Sequence, residues 1–179
     1  VKVIMQDYRE LSGSFDKLVS IEMIEAVGHH YLEIYLSRCA ALLKPDGLAL
    51  IQAITIEDSR YLQALKSVDF IKRYIFPGSF IPCVSAIVQT AAKSSDLRLI
   101  NLEDQGESYA LTLRTWKERF MENLELVREQ GYNEEFIKMW EFYLSYCEGG
   151  FIEKSISNVQ LLFAKPGNCR DQWLPRDEN

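Results

Sequence analysis

The sequence predicts an α/β fold with a mostly parallel sheet. Two observations lead to this prediction. Roughly five apolar, β-prone runs alternate with segments whose apolar residues recur at helical spacing, and one stretch has the order strand, helix, turn, strand. The chain has 179 residues, of which 47% are hydrophobic and 26% are charged. That composition is typical of one globular domain large enough to bury a core.

The first half of the chain contains the predicted βαβ unit. Residues 1–5 and 15–21 are apolar and β-branched, which predicts two strands. Residues 31–43 repeat apolar side chains at near-helical spacing, and the run Lys44-Pro-Asp-Gly47 is typical of a helix end followed by a turn. Residues 48–56 are apolar enough to form a strand buried on both faces, as strands of parallel sheets are.

The second half is predicted to be mainly helical. Helices are expected at 69–74 and 84–94, separated because Phe76-Pro-Gly-Ser79 and Pro82 forbid one continuous helix. A strand is expected at 97–102, followed by long amphipathic helices at 109–130 and 133–146 and a last strand at 158–164. We expect a partial domain over 1–167 and a polar, disordered tail over 168–179.

The composition argues against a membrane span, a metal site and a nucleic-acid partner. The longest apolar runs are far shorter than the roughly 20 residues that a membrane-spanning helix needs. The four cysteines form no CxxC pair, and adjacent His29 and His30 would point about 100° apart on a helix, so no metal site is predicted. A net charge of -6 argues against a nucleic-acid partner. A reducing cytoplasm fits this cysteine usage best.

Polar residues cluster where the predicted strands end. Ligands of parallel sheets bind outside the carboxyl ends of the strands. The residues at or near such ends are Asp7, Glu22, Glu25, Gln52 and Thr55. Asp7 could accept an amino donor while Tyr8 stacks on a flat ring such as adenine, but the same residues could equally cap a turn and pack.

Three further residues have both a functional and a structural interpretation. Glu25 lies among apolar neighbours, where a perturbed pKa is expected, but it could simply be an acid at a helix N-terminus. Gln52 interrupts an apolar strand, so its amide needs either a ligand or a partner in the core. Tyr109 begins a helix, a place where tyrosine ordinarily packs. Spacing alone leaves these alternatives open.

Five blocks resemble the cyclopropane-fatty-acyl-phospholipid synthase family in sequence, order and interval. The specific ones are Glu22-Met-Ile-Glu-Ala-Val-Gly28 and Phe70-Ile-Lys-Arg-Tyr-Ile-Phe-Pro-Gly78, whereas Lys44-Pro-Asp-Gly47 is common among methyltransferases. The others are Asp7-Tyr-Arg9 and Tyr109-Ala-Leu-Thr-Leu-Arg-Thr-Trp116. The resemblance runs from residue 1 to about residue 167. It implies the C-terminal portion of a class I methyltransferase, Rossmann-like sheet with helices on both faces, whose first strands and glycine-rich cofactor loop lie upstream of Val1.

The resemblance also implies an activity. Members of the family transfer a methyl group from S-adenosylmethionine to the cis double bond of an unsaturated phospholipid acyl chain, and the resulting cation loses a proton and closes to a cyclopropane. A bicarbonate ion is the family's proposed base. The positions around it match Glu25, Ile54 and Tyr109, together with Gln52, where many members have histidine.

The same match assigns the cofactor's surroundings. Asp7 and Tyr8 would border the adenine, and Ile21 would lie beside the cofactor. We expect the 179 residues alone to be inactive, because the main cofactor contacts would lie upstream.

The resemblance implies a cytoplasmic enzyme, peripheral to the inner face of the membrane, whose partner is the phospholipid bilayer surface. Unpaired sheet edges would also allow a homodimer. Two alternatives stay open: a methyltransferase for a small amine, and a non-catalytic lipid-binding or assembly module.

Overall fold

The structure is a computed structural model, and it describes residues 1–169. Its four strands are β1 (Phe15–Ile21), β2 (Leu43–Ile56), β3 (Arg98–Asp104) and β4 (Ile156–Ala164). Its α-helices, α1 to α7, span Ile24–Val27, Leu32–Ala41, Asp58–Lys66, Val84–Ser94, Gly106–Glu122, Leu124–Glu129 and Glu134–Ile152. Short 3₁₀ turns form at Tyr8–Glu10 and His29–Tyr31, and a π-helical turn forms at Ile71–Ile75.

The four strands form one sheet in the order β1-β2-β4-β3. β1 pairs parallel with β2, whereas β4 pairs antiparallel with both β2 and β3. Three strands therefore run in one direction, and β4 is inserted between two of them in the opposite direction. The predicted α/β class is confirmed. The reversed direction of β4 was not predicted, because alternation of apolar residues carries no information about strand direction.

The strand predicted at residues 1–5 is not formed. These residues have no ladder partner among the described strands, and Val1, Val3 and Met5 are all exposed. A β-prone sequence becomes a strand only where a neighbour supplies hydrogen bonds, and β1 lies at the edge of the sheet with no described strand beyond it. This expectation was wrong for the chain as the structure describes it.

Other elements differ from the prediction mainly in their bounds. The helix predicted at 109–130 is divided at Asn123 into α5 and α6, and α7 continues to Ile152 rather than ending at 146. The helix predicted at 69–74 is the π-helical turn. Helix α3 was not predicted. Of the tail predicted at 168–179, residues 170–179 lie outside the described residues.

Helices pack on both faces of the sheet. On one face, odd-numbered residues of β2 and β4, such as Ile51 and Phe163, are completely buried together with Leu36 of α2 and Ile87 of α4. On the other face, helices α5 and α7 form a second core around Leu113, Leu144 and Phe151. Ile54 of β2 and Ile156 of β4 pack against this second core. Even-numbered residues of the central strands therefore face the space beneath α5 and α7, and the candidate site is built there.

Candidate active site

The backbone turns sharply where β1 ends. Glu22, the residue after the strand, has a φ of +50°, in the left-handed region that glycine prefers. Its N–H donates to the carbonyl oxygen of Gln52 on the neighbouring strand at 2.9 Å, which holds the turn against the sheet. The turn thus fixes the position of the Glu22 side chain at the carboxyl end of the sheet.

Three neutral side chains donate hydrogen bonds to the Glu22 carboxylate. Oε1 accepts from Gln52 Nε2 at 2.9 Å and from Asn158 Nδ2 at 2.9 Å. Oε2 accepts from the hydroxyl of Tyr109 at 2.8 Å. Gln160 on β4 in turn donates to Gln52 Oε1 at 2.9 Å, which orients the Gln52 amide with its N–H groups toward Glu22. This network of five residues joins β1, β2, β4 and α5.

Glu25 lies one short turn further on, in α1, and is in a different environment. Its Oε1 accepts the backbone N–H of Ile54 at 2.6 Å. Its Oε2 is buried and has no hydrogen-bond partner among the described residues. Burial raises the pKa of Glu25 from 4.5 to about 7, and the charge of nearby Glu22 adds to that effect. Glu25 therefore keeps its proton to a higher pH than an exposed glutamate does.

Tyr109 connects the network to the aromatic wall of the second core. Its ring lies 4.8 Å from that of Phe151 and 6.4 Å from that of Trp116, measured between centroids. Burial first, and then the hydrogen bond to Glu22, raise the pKa of Tyr109 above its ordinary value. Burial also raises the pKa of nearby Tyr143 to about 12. Both phenols therefore stay protonated at physiological pH.

A cavity of about 880 Å³ opens beside these groups. Its lining includes the polar groups of Glu22, Glu25 and Tyr109, together with further polar residues such as Arg60, Asp69 and Glu153. Much of the remaining wall is aliphatic or aromatic, and includes Ile54, Ile56, Ile71, Phe76, Phe80, Leu113, Trp116, Tyr143, Tyr146 and Phe151. A volume of this size is typical of pockets that enclose a small molecule or part of a larger one.

The structure brings together all four residues predicted for the catalytic site. Glu25, Ile54 and Tyr109 line the cavity. Gln52 does not line it, but it contacts Glu22 directly. A metal site was not predicted, and no group of three or more metal-ligating side chains is found among residues 1–169.

The residues predicted to border the cofactor lie outside the cavity wall. Both Asp7 oxygens bond Arg9, at 2.7 to 3.0 Å, and Tyr8 packs edge-on against Tyr35 at 5.8 Å between ring centroids. Ile21 is about half exposed at the end of β1. Their role as cofactor contacts stays a prediction.

Two residues of the network were missed by the sequence interpretation. Glu22 was noted at a strand end but was not assigned a function, and Asn158, which is 1% exposed, was assigned only to a strand. A signal was present for Asn158, since an amide within an apolar strand needs a partner just as Gln52 does. For Glu22 the signal is weaker, because it consists only of an acid that directly follows the last strand residue, Ile21.

Comparisons with known proteins agree on one family. The family model described as mycolic acid cyclopropane synthetase matches residues 1–161. The chain is 39% identical over 151 residues to the tuberculostearic acid methyltransferase UfaA1 of Mycobacterium tuberculosis, covering 84% of this chain and 35% of that protein. It is 33% identical over 168 residues to the cyclopropane-fatty-acyl-phospholipid synthase of Escherichia coli K12, covering 92% and 41%.

A solved structure has the same architecture. The cyclopropane synthase MmaA2 from Mycobacterium tuberculosis superposes with a TM-score of 0.80 at 26% identity, covering 92% of this chain and 60% of the MmaA2 chain. The chain therefore spans between 35% and 60% of the length of the relatives described above.

Proposed function

This chain belongs to the mycolic acid cyclopropane synthetase family, and from that premise we propose that its full coding sequence encodes an S-adenosylmethionine-dependent methyltransferase of lipids. The proposed reaction transfers a methyl group to the cis double bond of an unsaturated phospholipid acyl chain, and proton loss then closes a cyclopropane. The names of the mycobacterial and Escherichia coli relatives, a tuberculostearic acid methyltransferase and a cyclopropane-fatty-acyl-phospholipid synthase, support a lipid acceptor.

The observation that carries the proposal is the largely apolar wall of the cavity beside two carboxyl groups. Aliphatic and aromatic side chains form much of this wall, and Glu22 and Glu25 also line it. An acyl chain needs an apolar tunnel, while a cation formed on that chain needs nearby negative charge and little water. Water admitted to such a site would capture the cation as an alcohol, so the closely packed aromatic wall favours loss of a proton.

The cofactor side of the proposal depends on three residues. Bound S-adenosylmethionine supplies an electrophilic methyl group. The Asp7 carboxylate has about four acceptor positions, and three of them accept hydrogen bonds from Arg9. One position is left for an amino donor such as that of adenine. Ile21 has an exposed apolar side chain at the carboxyl end of β1, where ligands of this sheet type bind. Tyr8 would lie beside the adenine.

Bicarbonate, the base implied by the resemblance, stays a prediction. Three donors expected to hold it are already engaged: the Ile54 N–H donates to Glu25, and Gln52 and Tyr109 donate to Glu22. Oε2 of Glu25 has no partner among the described residues, but it offers a bicarbonate ion no donor while Glu25 is ionised. With Glu22 in place, the three donors therefore do not fit a bicarbonate ion as well.

An aromatic surface at the rim of the cavity is proposed to contact the bilayer. It consists of Phe70, Tyr74, Phe142 and Tyr146, with Phe70 lying 4.7 to 6.1 Å from each of the other three rings. The last three are exposed, and Tyr146 also lines the cavity. The guanidinium of Arg73 lies 5.5 Å from the Tyr74 ring. Aromatic rings with an adjacent cation suit the interface of an anionic membrane, since rings settle at headgroup level and cations attract acidic lipid.

The other partner assignments are also proposals. No helix among residues 1–169 is long and apolar enough to cross a membrane. A cytoplasmic location, peripheral to the inner membrane face, is proposed from the aromatic surface and the family. A homodimer through the open edge of β1 would appear as a doubled mass in light scattering. Nucleic acid and metal are not expected to bind.

The test is product analysis with the full coding sequence that contains this chain. Purified protein, S-adenosylmethionine and unsaturated phospholipid vesicles should yield cyclopropane fatty acids by gas chromatography. The yield should be lost in the Glu25→Ala variant and kept in Glu57→Gln, a matched change of an exposed acid that follows β2. An unchanged yield in Glu25→Ala would remove Glu25 from the mechanism.

The same experiment separates the alternatives. A branched or methylene-bearing product would point to methylation without ring closure, which the 39% identity to a tuberculostearic acid methyltransferase supports as the second candidate. Turnover only with small amines would identify an amine methyltransferase. Lipid binding without any turnover would identify a non-catalytic module.

A further inference from the structure

We infer that the Glu22 carboxylate is the resident anion of this site and accepts the proton released after methyl transfer, in place of bicarbonate. This inference rests on the proposed function and names the base for it. Glu22 lines the cavity, the space that an acyl chain would enter under the proposed function. Its carboxylate accepts three side-chain hydrogen bonds.

The donors around Glu22 form an anion-binding site that the protein fills with its own side chain. Gln52, Asn158 and Tyr109 converge on two oxygens at 2.8 to 2.9 Å. All three donors are neutral, so they stabilise the carboxylate without a cation that would repel a developing positive charge on the substrate. A planar bicarbonate ion would require the same donors.

The backbone supports a role for this side chain. Glu22 holds a φ of +50°, a conformation that costs a residue with a side chain about 1 kcal/mol or more relative to glycine. Glycine would satisfy this turn more easily. The chain instead places a carboxylate there, oriented by three hydrogen bonds, and strain of this kind is characteristic of functional sites.

The two neighbouring carboxyl groups differ in a way that assigns their tasks. Glu22 has three donors, whereas Glu25 has one donor and a buried oxygen without a described partner. Burial raises the pKa of Glu25 to about 7, so Glu25 keeps its proton to a higher pH than an exposed glutamate does. Paired carboxyl groups in unlike environments commonly divide into one base and one acid. Glu22 is then the base, and Glu25 orients the Ile54 segment through its backbone N–H.

The step balances without a further reagent. The sulfonium C–S bond breaks with its electron pair going to sulfur, and the π pair of the alkene forms the new C–C bond. A C–H bond of the new methyl group then supplies the pair that closes the ring, and its proton passes to a Glu22 oxygen. Glu22 returns this proton to solvent after the product leaves, so the net products are the thioether, the cyclopropane and one proton.

The first test measures anion binding by the folded product of the full coding sequence that contains this chain. Side-chain amide signals of Gln52 and Asn158 are followed by ¹⁵N NMR during a millimolar titration with bicarbonate. The signals should stay unchanged in the wild-type chain and shift saturably in Glu22→Gly, which frees the three donors and suits the positive φ. Saturable shifts in the wild-type chain, or none in a folded Glu22→Gly chain, would overturn the inference. A saturable shift in the wild-type chain overturns the inference even if the variant does not fold.

The second test measures turnover of the full coding sequence, with and without bicarbonate. Formation of the thioether product should be unchanged when bicarbonate is removed. Glu22→Gln, which keeps the shape of the side chain, should lose about 10²-fold or more, the usual contribution of a general base, and added bicarbonate should restore part of it in Glu22→Gly. A wild-type enzyme that stops without bicarbonate contradicts this inference alone. A wild-type enzyme inactive under both conditions contradicts the proposed function, and the NMR result then still decides whether Glu22 is the resident anion.

Discussion

Replacing Glu25 by glutamine should change how the stability of the chain depends on pH. In the folded chain, burial raises the pKa of Glu25 from 4.5 to about 7. A carboxyl group whose folded pKa is raised stabilises the fold most below its unfolded pKa, and this contribution is lost as pH rises through the folded pKa. The wild-type chain should therefore lose stability between pH 4.5 and about 7. Glutamine cannot ionise, so the variant lacks this loss.

The size of the effect follows from the pKa. A rise from 4.5 to about 7 corresponds to at most about 3.4 kcal/mol in free energy of unfolding. Because Glu25 is not completely buried, we expect a measured change of about 2 kcal/mol. The Glu25→Gln side chain would keep the hydrogen bond from the Ile54 N–H, since its amide oxygen can accept it as Glu25 Oε1 does. The variant can thus be less stable than wild type in acid and more stable above neutrality.

The assay is urea unfolding followed by circular dichroism at a series of pH values, taken as the difference between variant and wild type. This difference cancels titrating groups common to both proteins, including His29, whose pKa burial lowers. A useful contrast is Glu148→Gln. Its hydrogen bond from Arg114 lowers the pKa of Glu148, so that contribution is lost as pH falls rather than as it rises. Parallel wild-type and Glu25→Gln profiles would refute the raised pKa.

Three further predictions concern the helices, the membrane and the cofactor. At neutral pH, Glu148→Gln should lower the free energy of unfolding by about 1–3 kcal/mol, because buried Glu148 accepts hydrogen bonds from Arg114 at 2.7 Å and Lys117 at 3.5 Å and ties α7 to α5. In sedimentation with anionic phospholipid vesicles, Phe142→Ser and Arg73→Glu should each reduce the bound fraction. Isothermal calorimetry of the 179-residue chain with submillimolar S-adenosylmethionine should show no binding, and clear saturation would contradict this.

Matched variants control the first two of these predictions. Glu141→Gln changes an exposed acid of the same helix α7 and should leave stability nearly unchanged. Leu126→Ser removes an exposed apolar side chain from α6, away from the residues that line the cavity, and should leave vesicle binding unchanged. Equal losses in a variant and its control would show that the effect is not specific to the proposed contact.

Local patterns in the sequence were sufficient for much of the fold. The strand at 15–21 and the helix at 84–94 have the predicted bounds. Apolar periodicity and the Lys44-Pro-Asp-Gly47 turn are properties of neighbouring residues, and neighbours are visible in the sequence. Residues 1–5 show the limit of such patterns, because a strand also depends on a partner strand, which local sequence does not reveal.

The candidate site depends on longer distances. Glu22 meets Gln52, Tyr109 and Asn158, which are 30, 87 and 136 residues away along the chain. Spacing cannot reveal such encounters, although the polar character of Gln52 in an apolar strand correctly indicated that its amide needs a partner. The family resemblance supplied Glu25, Ile54 and Tyr109, which do converge. It did not supply Glu22, since an acid at that point was interpreted only as a strand-end residue.

The central place of β4 has a consequence for how the molecule is made. β4 is the last of the described strands in sequence, yet it lies between β2 and β3 and carries Asn158 and Gln160 into the network around Glu22. During synthesis, β2 and β3 emerge from the ribosome well before the strand that joins them, so their inner edges stay open until β4 has been made. Assembly of the Glu22 network is therefore coupled to completion of the sheet, and a nascent chain that lacks β4 would have neither.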